Sequence, residues 1–256
     1  MTDRSHSPDA TQPIPAATVV VVRERPSGAP ELLMLERSTA MAFAGGALVF
    51  PGGRVDPGDH AFAATLAAAP EDAVSRLACI RETIEEAGVA LAFRTPPDAP
   101  AVAAMRVALH GGATLAALVR PEQLDLGALE PFARWVPRGV THRIFDTMFY
   151  LARWEEGAPD PSVDATENSR LAWMTAADVL AQAAAGRVSI IFPTRRNLER
   201  LARFGSFDAA VADARANPVV PITPWIEARD GTDHLCIPDG LGYPVTSEPL
   251  GSAQRA

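Results

Sequence analysis

The chain has 256 residues, 48% hydrophobic and 21% charged, enough to bury a sizeable core. Its net charge of −8 and isoelectric point near 5.2 argue against a general nucleic-acid binder, which needs a basic face, so any anionic small molecule has to be met by local arginines. Lysine is absent from the chain, which excludes the Gly-Lys-Ser/Thr of a phosphate-binding P-loop.

Met1–Pro13 is polar, without the apolar stretch of a secretory signal, and reads as a disordered tail. Thr18–Arg23 and Glu31–Glu36 are β-rich runs around the turn cluster Arg25–Pro30, and together predict a hairpin. Ala47–Phe50 is a short strand entering Phe50-Pro-Gly-Gly53. Pro57-Gly58 opens an insertion with a helix over His60–Ala69. Pro70-Glu71-Asp72 suits a helix start, since acids favour the first turn, and Gly88 suits its stop after Ala87. Ala99–Arg120 is alanine-rich and predicted helical. Arg143–Ala152 alternates as a strand with one face in the core, and Glu155–Asn168 is a polar loop. Leu171–Met174 predicts a strand, then a helix over Ala176–Ala185 with Thr175 as its cap. Pro193–Phe204 predicts another helix, with proline in its first turn. Val219–Glu227 and His234–Ile237 predict a final hairpin around Arg229-Asp-Gly231, and 241–256 a flexible tail.

Two cysteines, Cys79 and Cys236, make no disulfide framework, and Cys79 reads as a small core residue. The five histidines lack zinc spacing. The longest aliphatic run, Ala16–Val22, is too short to span a bilayer, so no membrane association is expected and the location is expected to be cytoplasmic. The alanine-rich, lysine-free composition suggests a GC-rich bacterial genome.

The densest chemistry lies in Arg81-Glu-Thr-Ile-Glu-Glu-Ala-Gly-Val89. On a helix, Glu82, Glu85 and Glu86 share a face, where unpaired like charges repel. A Mg²⁺ or Mn²⁺ ion would justify keeping them together, because hard divalent cations take a few carboxylates and let phosphate oxygens complete the shell. Without the glycine turn upstream, such a helix is more often a solvated acidic face.

With that turn, the segment resembles the Nudix box: Gly, five residues, Glu, seven residues, then Arg-Glu-hydrophobe-x-Glu-Glu-x-Gly-hydrophobe. Gly53 matches the first glycine, and Arg81, Glu82, Glu85, Glu86, Gly88 and Val89 match the second half. Thr83 stands where a hydrophobe is usual. The middle is stretched: Asp59 holds the first acid's place but lies 22 positions before Arg81 (81 − 59) where eight are usual, and Glu71 lies ten before it. The first acid stays open between these two. The resemblance implies a single α/β/α sandwich domain with a mixed sheet over 14–240, an insertion within the box and a helical and hairpin C-terminal extension. It implies metal-assisted attack of water on a nucleoside diphosphate derivative, with Glu82 and Glu86 as Mg²⁺ or Mn²⁺ ligands. Glu85 either ligates or pairs with Arg81, and the Gly52 carbonyl is a further candidate oxygen at the Gly52-Gly53 turn. Glu167 resembles the loop glutamate that serves as base or extra ligand, with Asp164 its rival.

The preceding segment is similar to the extra motif of coenzyme A diphosphatases. Arg37, Ser38, Gly46 and Phe50–Gly53 match in register, while Leu35 replaces a threonine and Ala42 a second arginine. Arg37 is the leading substrate-phosphate residue, ahead of Arg54, Arg138 and Arg143. Arg134-Trp-Val-Pro137, Arg143-Ile-Phe-Asp-Thr147, Glu167 with Trp173, and Phe192-Pro-Thr194 resemble the peroxisomal-type acyl-coenzyme A diphosphatases and their bacterial relatives, which also carry a lengthened box. The last residues, Ala253-Gln-Arg-Ala256, are not a Ser-Lys-Leu signal, so peroxisomal targeting is not expected. Trp135 and Phe145 are either base-stacking or core aromatics, the core being commoner. The rival functions are hydrolysis of ADP-ribose, NADH or another nucleoside diphosphate derivative, and a non-catalytic nucleotide-binding regulatory domain.

Overall fold

A computed structural model describes residues 12–38, 46–137, 144–163 and 168–253. Strand β1 (Ile14–Arg23) is central. It pairs antiparallel with β2 (Glu31–Arg37) and β4 (Gly52–Arg54), and parallel with β6 (Phe145–Arg153). Beyond β2 lie β3 (Leu48–Val49) and β7 (Asn168–Thr175); beyond β6 lie β5 (Glu130–Trp135) and β8 (Pro221–Ile222). Among the described residues this makes an eight-stranded mixed sheet.

Alternation along the strands divides the core in two. Val19, Val21, Leu33, Leu35 and Tyr150 face Phe62 of α1 (Pro57–Ala63) and Leu77, Ile80 and Ile84 of α2 (Ala73–Ala87). The alternate residues Val20, Val22, Leu32, Met34 and Leu151 face Val179 of α5 (Ala176–Ala184), Leu198 of α6 (Phe192–Leu201) and Ala210 of α7 (Phe207–Ala216). The expected α/β/α sandwich is therefore present. Cys79 is fully buried in the first core, and Trp135 is 1% exposed, edge-on to Phe192 and Tyr243, so it is a core residue and not a base-stacking one. No helix among the described residues is long and apolar enough to cross a membrane.

Several boundaries differ from expectation. β1 starts at Ile14, earlier than Thr18, because Ile14–Ala17 pair with Phe145–Met148. α1 occupies 57–63, not 60–69: proline takes its first position, and the Asp59 carboxylate accepts the Asp56 N–H at 2.9 Å. The predicted helix over 99–120 breaks at Gly111-Gly112 into α3 (Ala99–His110) and α4 (Leu115–Leu118). The final hairpin, β9 (Trp225–Arg229) and β10 (Thr232–Cys236), turns at Asp230-Gly231, but Pro221-Ile222 leaves it to join the main sheet beside β5. Residues 241–253 are not a loose tail. Leu241 and Tyr243 are buried, β11 (Ser247–Pro249) pairs with β10, and α8 (Leu250–Ala253) follows.

Candidate active site

Two glycines bring backbone against the carboxylate helix. Gly52 pairs with Thr18 so closely that a Cβ there would lie 2.4 Å from the Ala17 carbonyl oxygen, and at Gly53 a Cβ would lie 2.3 Å from Glu82 Oε1. Any side chain at Gly53 would fill the place of the Glu82 carboxylate. The Gly52 N–H donates to Glu86 Oε2 at 2.9 Å. α2 presents these acids because Leu77, Ile80 and Ile84 fix its opposite stripe in the core. Thr83, at the usually apolar box position, is fully buried; its hydroxyl donates to the Cys79 and Ile80 carbonyls, so its polarity is absorbed within the helix. Gly88 ends the helix in the left-handed conformation (φ 63°), donating to the Ile84 carbonyl.

Arg81 is the hub. It meets Asp59 through Nε and Nη2 at 3.1 and 3.0 Å, Glu82 through Nη1 at 2.8 Å, Glu85 through Nη1 at 3.4 Å, and the Arg54 carbonyl through Nη2 at 2.8 Å. Asp59 is 1% exposed, whereas Glu71 is exposed, so the structure favours Asp59 as the acid the stretched box left open. The insertion runs out between Asp59 and α2 and returns, leaving the Asp59–Arg81 pairing intact. Burial works against the Arg81 charge, and the hydrogen bonds and fields of Asp59 and Glu82 outweigh it, holding Arg81 protonated.

Glu86 is buried and Glu82 half-buried, and loss of solvent pushes the Glu82 carboxyl up to about 7 and the Glu86 carboxyl up to about 8. Arg81 partly restrains Glu82. The neighbouring Glu82 charge raises Glu86 further, while the Gly52 N–H, Asn168 and Arg37 pull it down. Two neighbouring, desolvated carboxylates against a glycine turn fit a hard divalent cation that leaves positions open for phosphate and water. They form a pair only: among the described residues no group of three or more His, Cys, Asp or Glu is placed to hold an ion, and Glu85 turns to Arg81.

Arg37 stands opposite Asn168 because β7 carries an extra residue, Ser169, between the partners of Glu36 and Arg37, and the Arg37 carbonyl accepts the Gly46 N–H at 3.0 Å. Asn168, buried, donates to Glu86 Oε1 at 3.3 Å. Neither Asn168 nor Arg106, whose guanidinium reaches the end of α2, carried any local sequence signal. Arg54 is exposed and enters the site through its carbonyl. Glu167, Asp164, Arg138, Arg143 and Ala42 lie outside the described residues.

No family model matches the chain. A Nudix hydrolase from Alicyclobacillus acidocaldarius is similar in structure, with a TM-score of 0.69 and 28% identity over 80% of this chain and 97% of that one. The Nudix domain of Shewanella oneidensis NrtR complexed with ADP-ribose matches with a TM-score of 0.45 and 15% identity, over 77% of this chain and 92% of that one. A C. elegans Ap4A hydrolase matches at 0.38 and 17%, over 78% and 93%. The sheet, the 28% identical hydrolase and the box residues gathered at one corner make the chain a Nudix-superfamily enzyme, a diphosphatase acting on phosphorus anhydrides.

Proposed function

We propose that the enzyme hydrolyses coenzyme A or acyl-coenzyme A to 3′,5′-ADP and (acyl-)4′-phosphopantetheine. The observation that carries this reading is Arg37, the arginine of the motif shared with coenzyme A diphosphatases. Its charge bears on Glu86, and its buried Nε has no hydrogen-bond partner among the described residues. A buried donor left unmade is costly, and a guanidinium suits a phosphate oxygen.

Water attacks one phosphorus of the diphosphate, one P–O bond forms and the bridging P–O bond breaks, and both products leave as phosphate monoesters. Glu82 and Glu86 would hold Mg²⁺ or Mn²⁺, which would draw charge from the phosphate oxygens and lower the pKa of a water bound to it. Arg81 keeps Glu82 aimed, and Glu85 supports Arg81 or adds an oxygen. Without a Cβ, the Gly52-Gly53 turn lets the Glu82 and Glu86 carboxylates come against its backbone, which is where the substrate's diphosphate would be met. Glu167 is assigned as the base that takes the proton from water, in competition with Asp164.

The test is a Mg²⁺ and Mn²⁺ hydrolysis panel of coenzyme A, acyl-coenzyme A, dephospho-coenzyme A, ADP-ribose and NADH, with products weighed by mass spectrometry. Coenzyme A esters are expected to be cut. Ala42, where the motif has a second arginine, forgoes a charged contact of about 1.5–3 kcal/mol, so Ala42→Arg is expected to lower their KM by roughly tenfold or more. Far higher kcat/KM for ADP-ribose or NADH overturns the coenzyme A assignment in favour of that rival.

A further inference from the structure

Helix α3 lies between the box and β5, and supplies none of the box residues. One of its side chains nevertheless reaches the end of α2. The last carbonyls of a helix have no partner within it and must find one elsewhere. Here each can be followed. The Thr83 carbonyl accepts from Val89 N–H, and the Ile84 carbonyl from Gly88 N–H. The Ala87 carbonyl accepts from Ser162 N–H at 2.8 Å. The two between, of Glu85 and Glu86, accept from Arg106 Nε at 2.8 Å and Nη2 at 3.0 Å. The remaining arm, Nη1, donates to Ser162 Oγ at 2.9 Å. Gly88 lies beneath this fork: a Cβ there would stand 3.2 Å from Ser162 Oγ and 3.3 Å from Arg106 Nη1.

We propose that Arg106 is a positioning residue for the carboxylate helix, fixing the backbone of Glu85 and Glu86 from α3 so that the Glu86 carboxylate meets Gly52. This rests on Glu82 and Glu86 holding the cation. The Glu86 side chain is tied at its tip by the Gly52 N–H and Asn168. Its root, in the last turn of α2, is held by a guanidinium from another element. A cation also suits the negative end of the helix dipole. Freed from Arg106, that turn loses two hydrogen bonds at the residues whose carboxylates have to be placed within a fraction of an ångström.

The experiment compares Arg106→Met, which keeps an apolar stem and removes the fork, with Arg106→Lys, which can reach one carbonyl at a time. Expected for Arg106→Met is a kcat about 10- to 100-fold lower, the scale set by roughly 1 Å of misplacement, with KM for the organic substrate within about twofold. Mn²⁺ binding to the metal-free protein, read by calorimetry, weakens by roughly tenfold, and Arg106→Lys recovers part of both losses. Should Arg106→Met not fold, Arg106→Lys and Ser162→Ala carry the comparison, with smaller losses of the same kind. A lower Tm with unchanged kcat and unchanged Mn²⁺ affinity overturns the proposal and leaves Arg106 a stability cap. If Glu86→Gln abolishes Mn²⁺ binding while Arg106→Met leaves it intact, only this proposal fails. If the wild-type protein binds no Mn²⁺ at all, the metal-site reading fails with it.

Discussion

Glu86 is constrained from three directions: the Gly52 N–H and Asn168 at its carboxylate, and Glu82 one helical turn below. If that carboxylate holds a cation, its lone pairs are committed to the metal and it does not collect the proton of an attacking water. The base then comes from a different element, and the resemblance places it in the polar loop. The prediction separates the two acids there. Glu167→Gln is expected to lower kcat by two or more orders of magnitude, on the scale of general-base catalysis, with little change in KM, because the base acts in the transition state. Asp164→Asn is expected to stay near wild type. Steady-state kinetics of the two variants decide it, and the reverse pattern makes Asp164 the base.

The insertion between Asp59 and α2 shows how an element can be lengthened without disturbing a site. α1 holds Asp59 at 1% exposure against Arg81, and the added residues lie outside that contact. Asp59→Asn leaves a buried guanidinium short of its main counter-charge, which costs about 3–5 kcal/mol when one partner of a buried pair is removed. Arg81 would then lean on Glu82 at 2.8 Å and on Glu85 at 3.4 Å. Both Tm and kcat are therefore expected to fall for Asp59→Asn, while Glu71→Gln changes neither. A silent Asp59→Asn would show the pair to be dispensable. Element by element, the sequence is legible where the signal is local. The helical period of Leu77, Ile80 and Ile84 and the stop at Gly88 predict α2, and its carboxylate face follows from spacing alone. β5 is hidden by Pro131, accommodated by a register shift before Ala133, and α7 has no strong stripe to announce it. Asn168 meets Glu86 across 82 residues and Arg106 reaches its carbonyl across 20, contacts set by chain topology that spacing does not report.

At the scale of the whole molecule, the sheet separates two cores, and the carboxylate pair is set into the edge of one of them on a chain already carrying −8. Folding without metal therefore buries two acids that prefer to be protonated. In the unfolded chain they titrate near 4.5; in the folded, metal-free protein they titrate at about 7 and about 8. Between about pH 5 and 8 the folded state thus binds more protons than the unfolded state, and stability falls as pH rises through that window. Glu199, also raised by burial, acts in the same direction. The Tm of EDTA-treated protein is expected to drop from pH 5 to pH 8, by about 2–4 °C for each kcal/mol lost in a chain of this size. Glu86→Gln removes the higher of the two titrations and should flatten the slope, which isolates the pair from Glu199. Mn²⁺ at 100 times its Kd adds about 2.7 kcal/mol. At a fixed Mn²⁺ concentration the gain is expected to be smallest near pH 5, where binding must release both protons, and to grow through pH 8, where Glu86 still holds its proton about half the time. Calorimetric scans at several pH values, with EDTA and with Mn²⁺, measure all three effects. A metal-free Tm that is flat from pH 5 to 8, or a Glu86→Gln variant with the wild-type slope, would sink the assignment of Glu82 and Glu86 as a buried carboxylate pair awaiting a cation.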